Sequence, residues 1–129
     1  MPYRLWMEQG LLRISFFGRL ERAEFQRLAE EVMALEASFP FPPDRLTDMS
    51  EMVGSELTQS DMSDLVARRK SRTFSGSFRS AVVAARPVQM GYARMFQILN
   101  DHPQITVAVF ATVEEAQQWL APFDPGNKS

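Results

Sequence analysis

The sequence predicts a single α/β domain built on a mostly parallel sheet, and three observations carry that expectation. Short runs that alternate or are wholly apolar are interleaved with longer segments of helical period. Two of the runs, "SAVVAA" (80–85) and "ITVAVF" (105–110), are nearly continuous in apolar residues, as strands covered on both faces are. Proline and glycine clusters fall between the segments rather than inside them.

At the N-terminus, "YRLWME" (3–8) places Tyr3, Leu5 and Met7 on one strand face. In "LLRISFF" (11–17), Leu12, Ile14 and Phe16 share a face, with Arg13 and Ser15 on the other. Gln9-Gly10 between them fits a tight hairpin turn, so these two strands are expected to be antiparallel. From Glu21 to Phe39 the apolar set Phe25, Leu28, Ala29, Val32, Leu35 and Phe39 has helical spacing. The carboxylates of "AEEVMALE" fall to the polar side, and "FPFPPD" ends the helix because proline cannot continue it.

A third strand, "RLTDM" (45–49), is expected from its position between two helices. The next helix starts near Thr58, whose hydroxyl can cap it, with Asp61 in the first turn. It runs through Met62, Leu65 and Val66 into "RRKSR" (68–72), before the loop "FSGS". After "SAVVAA" comes a helix from Pro87 or Val88 to before Pro103, and after "ITVAVF" a last one. There Thr112 and Glu115 have capping-box spacing, and Ala116, Trp119 and Leu120 face inward. The order β-β-α-β-α-β-α-β-α gives five strands and about four helices in residues 1–121. The tail 122–129, "PFDPGNKS" after Ala121, is expected to fray.

Composition narrows the function classes. The chain has 129 residues, 45% hydrophobic, enough for one core. No apolar run approaches the ~20 residues of a membrane-spanning helix, and "MPYRLWMEQG" does not read as a secretory signal. A cytoplasmic location is the default expectation. The chain has no cysteine, which excludes disulfides and thiolate chemistry, and its one histidine, His102, has no carboxylate cluster to complete a metal site. A formal net charge of −2 gives no general attraction to nucleic acid. Neither a metal nor a cofactor is expected.

The strand order, with "RLTDMSEM" at the third strand, "GYARMF" in the third helix and "ITVAVFATVEEAQQWL" at the end, resembles the SpoIIAA-like proteins. These are relatives of the STAS domain, the anti-sigma-factor antagonist fold. The resemblance spans roughly residues 3 to 121. It implies a small non-enzymatic regulatory or binding module acting through protein or small-ligand contacts. The alternative, through relatives grouped with SEC14-type domains, is a carrier of an amphipathic or lipid-like ligand. Phosphorylated antagonists carry an Asp-Ser-Ser/Thr-Gly segment after the third strand; here the region reads "DMSEMVGSELTQSD" and the tetrad is absent. Ser55 is the nearest positional candidate, but Glu56 and Leu57 follow it, which argues against a phosphoserine switch.

In parallel α/β sheets, ligands sit outside the carboxyl ends of strands. That rim would hold Gly18, Asp48, Ser50, Arg86 and Thr112, so Asp48, Ser50 and Arg86 are the candidate ligand-binding residues. The alternative is that Asp48 and Arg86 form a rim ion pair, with Asp48 also capping the following loop. An enzyme would need Asp48 as acid or base in an enclosed pocket. The "RRKSR" cations suit a solvated helix end. His102 is expected to help end the third helix. On that helix, a wheel of 100° per residue turns Val88, Tyr92, Met95, Phe96 and Leu99 toward the sheet and Arg94 outward. Met90, Gly91, Arg94 and Ile98 are the candidate interface, either an ordinary solvated face or a homodimer contact.

Overall fold

The computed structural model describes residues 3–70, 76–99 and 102–121. In chain order the elements are β1 (Tyr3–Glu8), β2 (Leu11–Leu20), α1 (Arg22–Ser38), β3 (Arg45–Ser55), α2 (Gln59–Lys70), β4 (Phe78–Val83), α3 (Pro87–Leu99), β5 (Ile105–Phe110) and α4 (Val113–Leu120). The five strands lie in the order β1-β2-β3-β4-β5. β1 is antiparallel to β2, and every later neighbour is parallel. The tail 122–129 lies outside the described residues.

The hairpin forms as its turn residues require. Gln9 has φ 54 and Gly10 φ 77, the left-handed pair of a two-residue type I′ turn, whose twist matches that of the strands. A second left-handed glycine, Gly18 at φ 61, stands where the pairing of β2 with β3 slips between Gly18 and Arg19. This lets β2 continue to Leu20, beyond the expected end at residue 17.

Because the parallel strands follow one another in sequence, right-handed crossovers put their connecting helices on the same face. The main core lies there. It joins Ile14 and Phe16 of β2, Met49 and Met52 of β3 and Val82 of β4 to Phe25, Leu28 and Val32 of α1 and Ala93 of α3. Each fully buried large side chain of this kind contributes about 1.5–3 kcal/mol. α4 folds back on the opposite face, where Ala116 and Leu120 cover Leu46, Ala81 and Val83. Thr112 caps α4 as its spacing predicts, accepting from the Glu115 backbone N–H at 3.2 Å. Thr58 and Asp61 do the same for α2: the Asp61 backbone N–H donates to the Thr58 hydroxyl, and the Thr58 N–H to the Asp61 carboxylate at 2.9 Å.

Some expectations are corrected. β3 extends from Arg45 to Ser55 instead of ending at Met49, because β2 follows it as a partner to Ser55. β4 begins at Phe78 and ends at Val83, not at Ala85. Glu36 does not belong to the solvated face of α1. It is four residues beyond Val32 on the buried stripe, and its carboxylate is neutralised by the buried Arg45 guanidinium, which also stacks on the Phe78 ring at 4.5 Å. Val88 is 46% exposed rather than turned to the sheet; Gln89 and Ala93, both fully buried, hold that position. The expected inward residues Met62, Leu65, Val66, Phe96 and Leu99 lie outside the described side chains.

Candidate functional site

The rim at the carboxyl ends of the strands is shaped by a mismatch in strand length. β4 leaves the ladder at Val83, opposite Asp48, while β3 continues to Ser55. The carbonyls of β3 beyond that point therefore have no strand partner on the β4 side, and buried carbonyls need one. Gln89 supplies it. Its amide nitrogen donates to the carbonyls of Ser50 at 2.9 Å and Met52 at 3.2 Å. Its amide oxygen accepts from the backbone N–H groups of Ala85 at 3.0 Å and Arg86 at 3.1 Å. One buried side chain thus ties the end of β3 to the turn that opens α3.

The sequence-derived rim residues gather around this clamp. Asp48 accepts from the Ser50 backbone N–H at 2.9 Å, the local turn that its side chain favours. The exposed Arg86 guanidinium reaches the Ser50 carbonyl at 3.4 Å. Asp48, Ser50 and Arg86 are therefore neighbours, but Asp48 and Arg86 meet at Ser50 rather than pairing with each other. Ser55 closes β3, where its hydroxyl accepts from the Leu57 backbone N–H at 3.1 Å. Around them the rim is partly apolar: Val53 is 62% exposed, and Val88, next to Gln89, joins it.

On α3, Met90, Gly91 and Arg94 are exposed, and a Cβ at Gly91 would meet open space. The side chain of Ile98 lies outside the described residues. Of the "RRKSR" cluster, Arg68 is exposed and the remaining side chains are outside the description. Between Leu99 and His102 the end of α3 lies outside the described residues; His102 Nδ1 accepts from the Gln104 backbone N–H at 3.1 Å and shapes the entry to β5.

Two further polar regions lie on the α4 side of the sheet, and sequence reading did not single them out. A groove of about 540 Å³ runs between the β1–β2 turn and the end of α4, walled by Arg13, Asp44, Arg79 and Leu120. Arg79 is fully engaged there, donating to Asp44 at 2.8 Å and to the carbonyls of Trp119 and Leu120. Beside it, the face of β1 and β2 that α4 leaves uncovered carries Trp6 between two guanidinium groups. Arg4 lies 4.6 Å and Arg13 5.4 Å from its ring centre. Strand parity alone could have found this second grouping, since Arg4, Trp6 and Arg13 share a face by alternation. Gln89 gave no comparable signal, because a glutamine on a helix reads as surface.

No protein-family model matches the chain, and no curated protein matches it. Solved structures do. An uncharacterised DUF3478-family protein with a SpoIIAA-like fold from Shewanella loihica superposes with a TM-score of 0.62 at 17% identity, over 92% of each chain. An anti-sigma factor antagonist from Mycobacterium paratuberculosis superposes with a TM-score of 0.58 at 14% identity, again over 92% of each chain. The fold is therefore SpoIIAA-like, of the STAS type.

Proposed function

We propose that this chain is a non-enzymatic regulatory module that works by binding another protein through the carboxyl-end rim. The observation that carries this reading is the Gln89 clamp. It fixes the rim backbone by internal hydrogen bonds, so that the rim presents a set surface. Asp48 is likewise committed to Ser50, leaving Arg86 as the exposed charged group of the trio. Val53, Val88 and Met90 add exposed apolar area, and Arg94 a second cation. Methionine and arginine are enriched in protein interfaces, and this mixture suits an acidic partner surface with an apolar centre. The fold-level similarity to an anti-sigma factor antagonist supports the same reading.

The test is affinity capture from the native cell with the parent chain and with a folded Val53→Asp/Arg86→Glu variant, followed by reconstitution with the purified captured protein. A stoichiometric partner bound by the parent and released by the variant is the expected result. Equal capture by both would remove the rim from consideration. Native mass spectrometry of the purified chain separates this reading from a carrier of an amphipathic ligand: a consistent mass excess, lost on denaturation, would favour the carrier.

A further inference from the structure

We propose that the open edge of β1 is a contact for a second copy of this chain, paired antiparallel about a twofold axis at Trp6. Among the described residues β1 is the last strand on its side of the sheet. Which of its backbone groups face outward follows from the hairpin. In a two-residue turn the flanking residues, Glu8 and Leu11, form a hydrogen-bonded pair, and such pairs alternate with non-bonded ones along the ladder. Glu8, Trp6 and Arg4 therefore spend their N–H and C=O groups on β2, while those of Met7, Leu5 and Tyr3 point away from it. The Leu12 amide confirms the parity: opposite Met7, it turns from β1 and donates to the Asp44 carbonyl at 2.9 Å.

The charges that β1 carries on this edge, Arg4 and Glu8, are of opposite sign. Residues 3–8 contain no proline, and β1 pairs with β2 without a bulge. Its side chains are self-complementary. When "YRLWME" meets a reversed copy centred on Trp6, Leu5 opposes Met7 of the copy, and the outward backbone groups of both make four hydrogen bonds. Arg4 opposes Glu8 of the copy, and Glu8 opposes its Arg4. Trp6 opposes Trp6. These last three are non-bonded pairs, whose side chains approach more closely than those of bonded pairs. The monomer already holds both charges beside the indole: Arg4 stacks on it at 4.6 Å, and the indole N–H donates to Glu8 at 3.0 Å. Met7, 39% exposed, would be covered by Leu5 of the copy. Along α3 itself, Arg94 is the only charged residue from Pro87 to Leu99, so that helix does not carry a pair of opposite charges as β1 does.

The absence of cysteine gives a direct test of the register. In the full-length chain, Trp6→Cys places one thiol beside its symmetry mate at a separation a disulfide spans, whereas Glu8→Cys places the two thiols several residues apart along the strands. Mild oxidation is expected to convert Trp6→Cys to a covalent dimer and to leave Glu8→Cys monomeric. Sedimentation of cysteine-free variants is the second arm. Arg4→Glu alone and Glu8→Arg alone should each weaken self-association about tenfold, and the double exchange should restore it. A parent chain that sediments as a monomer, together with a Trp6→Cys chain that stays monomeric on oxidation, would overturn the proposal. So would cross-linking of Glu8→Cys equal to that of Trp6→Cys, or a dimer that survives the single charge reversals but is lost in Met90→Glu.

Discussion

The side-chain nitrogen of Gln89 lies 2.9 Å from the carbonyl oxygen of Ser50, and that hydrogen bond joins two elements the sheet itself leaves apart. β3 and β4 stop pairing at Asp48 and Val83, and the fully buried Gln89 amide closes the rim beyond that point. Gln89→Leu keeps the volume and removes every partner. It is expected to cost about 2 kcal/mol or more in chemical denaturation, because buried carbonyls are left unmet. Gln89→Glu should cost more, since a carboxylate oxygen would face the Ser50 and Met52 carbonyls. The amides of Ala85 and Arg86 should lose hydrogen-exchange protection in the leucine variant, as their acceptor is the Gln89 oxygen.

How far this arrangement was legible in the sequence depends on the kind of signal involved. The hairpin at Gln9-Gly10, the caps at Thr58 and Thr112 and the inward stripe Phe25, Leu28, Val32 were readable, because local backbone chemistry and periodicity fix them. The grouping of Asp48, Ser50 and Arg86 followed from the strand order alone. Gln89 and Glu36 were not readable. Each is a polar residue at a core position, and only the partner brought to it by the fold makes burial tolerable. The error on α3 has the same origin: apolar residues were assigned to the inward sector, and Val88 gave up its place to an amide that matched bare backbone groups.

The buried pair of Glu36 and Arg45 makes a second prediction. Their side chains are 0% and 5% exposed, joining the last turn of α1 to the first residue of β3. Removing one partner takes the buried counter-charge from the other. Glu36→Ala is therefore expected to destabilise the chain by about 3–5 kcal/mol. Desolvation of the pair offsets much of its attraction, so replacing both residues by apolar ones of similar size should recover most of that loss. Denaturant midpoints of Glu36→Ala and of Glu36→Leu/Arg45→Met, at unchanged slope, check both parts.

A third prediction concerns pH and begins at the buried Tyr3, whose hydroxyl donates to the Glu31 carboxylate at 3.1 Å. Burial, and then the hydrogen bond to Glu31, raise its pKa above the ordinary tyrosine value of about 10. The folded chain therefore favours the neutral phenol more strongly than the unfolded chain does. That stabilisation is fully present below the unfolded value of about 10 and is lost as pH rises through the folded one. At neutral pH, Tyr3→Phe should cost about 1 kcal/mol for the missing hydrogen bond. Above about pH 10 the parent's advantage should shrink, because only the parent must ionise a buried phenol or remain protonated against the solvent. Denaturation of both proteins across pH 7 to about 11 reads the difference directly. A gap that stays constant over that range would show that the Tyr3 hydroxyl is no better shielded in the folded chain than in the unfolded one. The tie also matters for the sheet edge: it anchors β1 to α1 on the core face, and among the described residues no strand lies beyond β1.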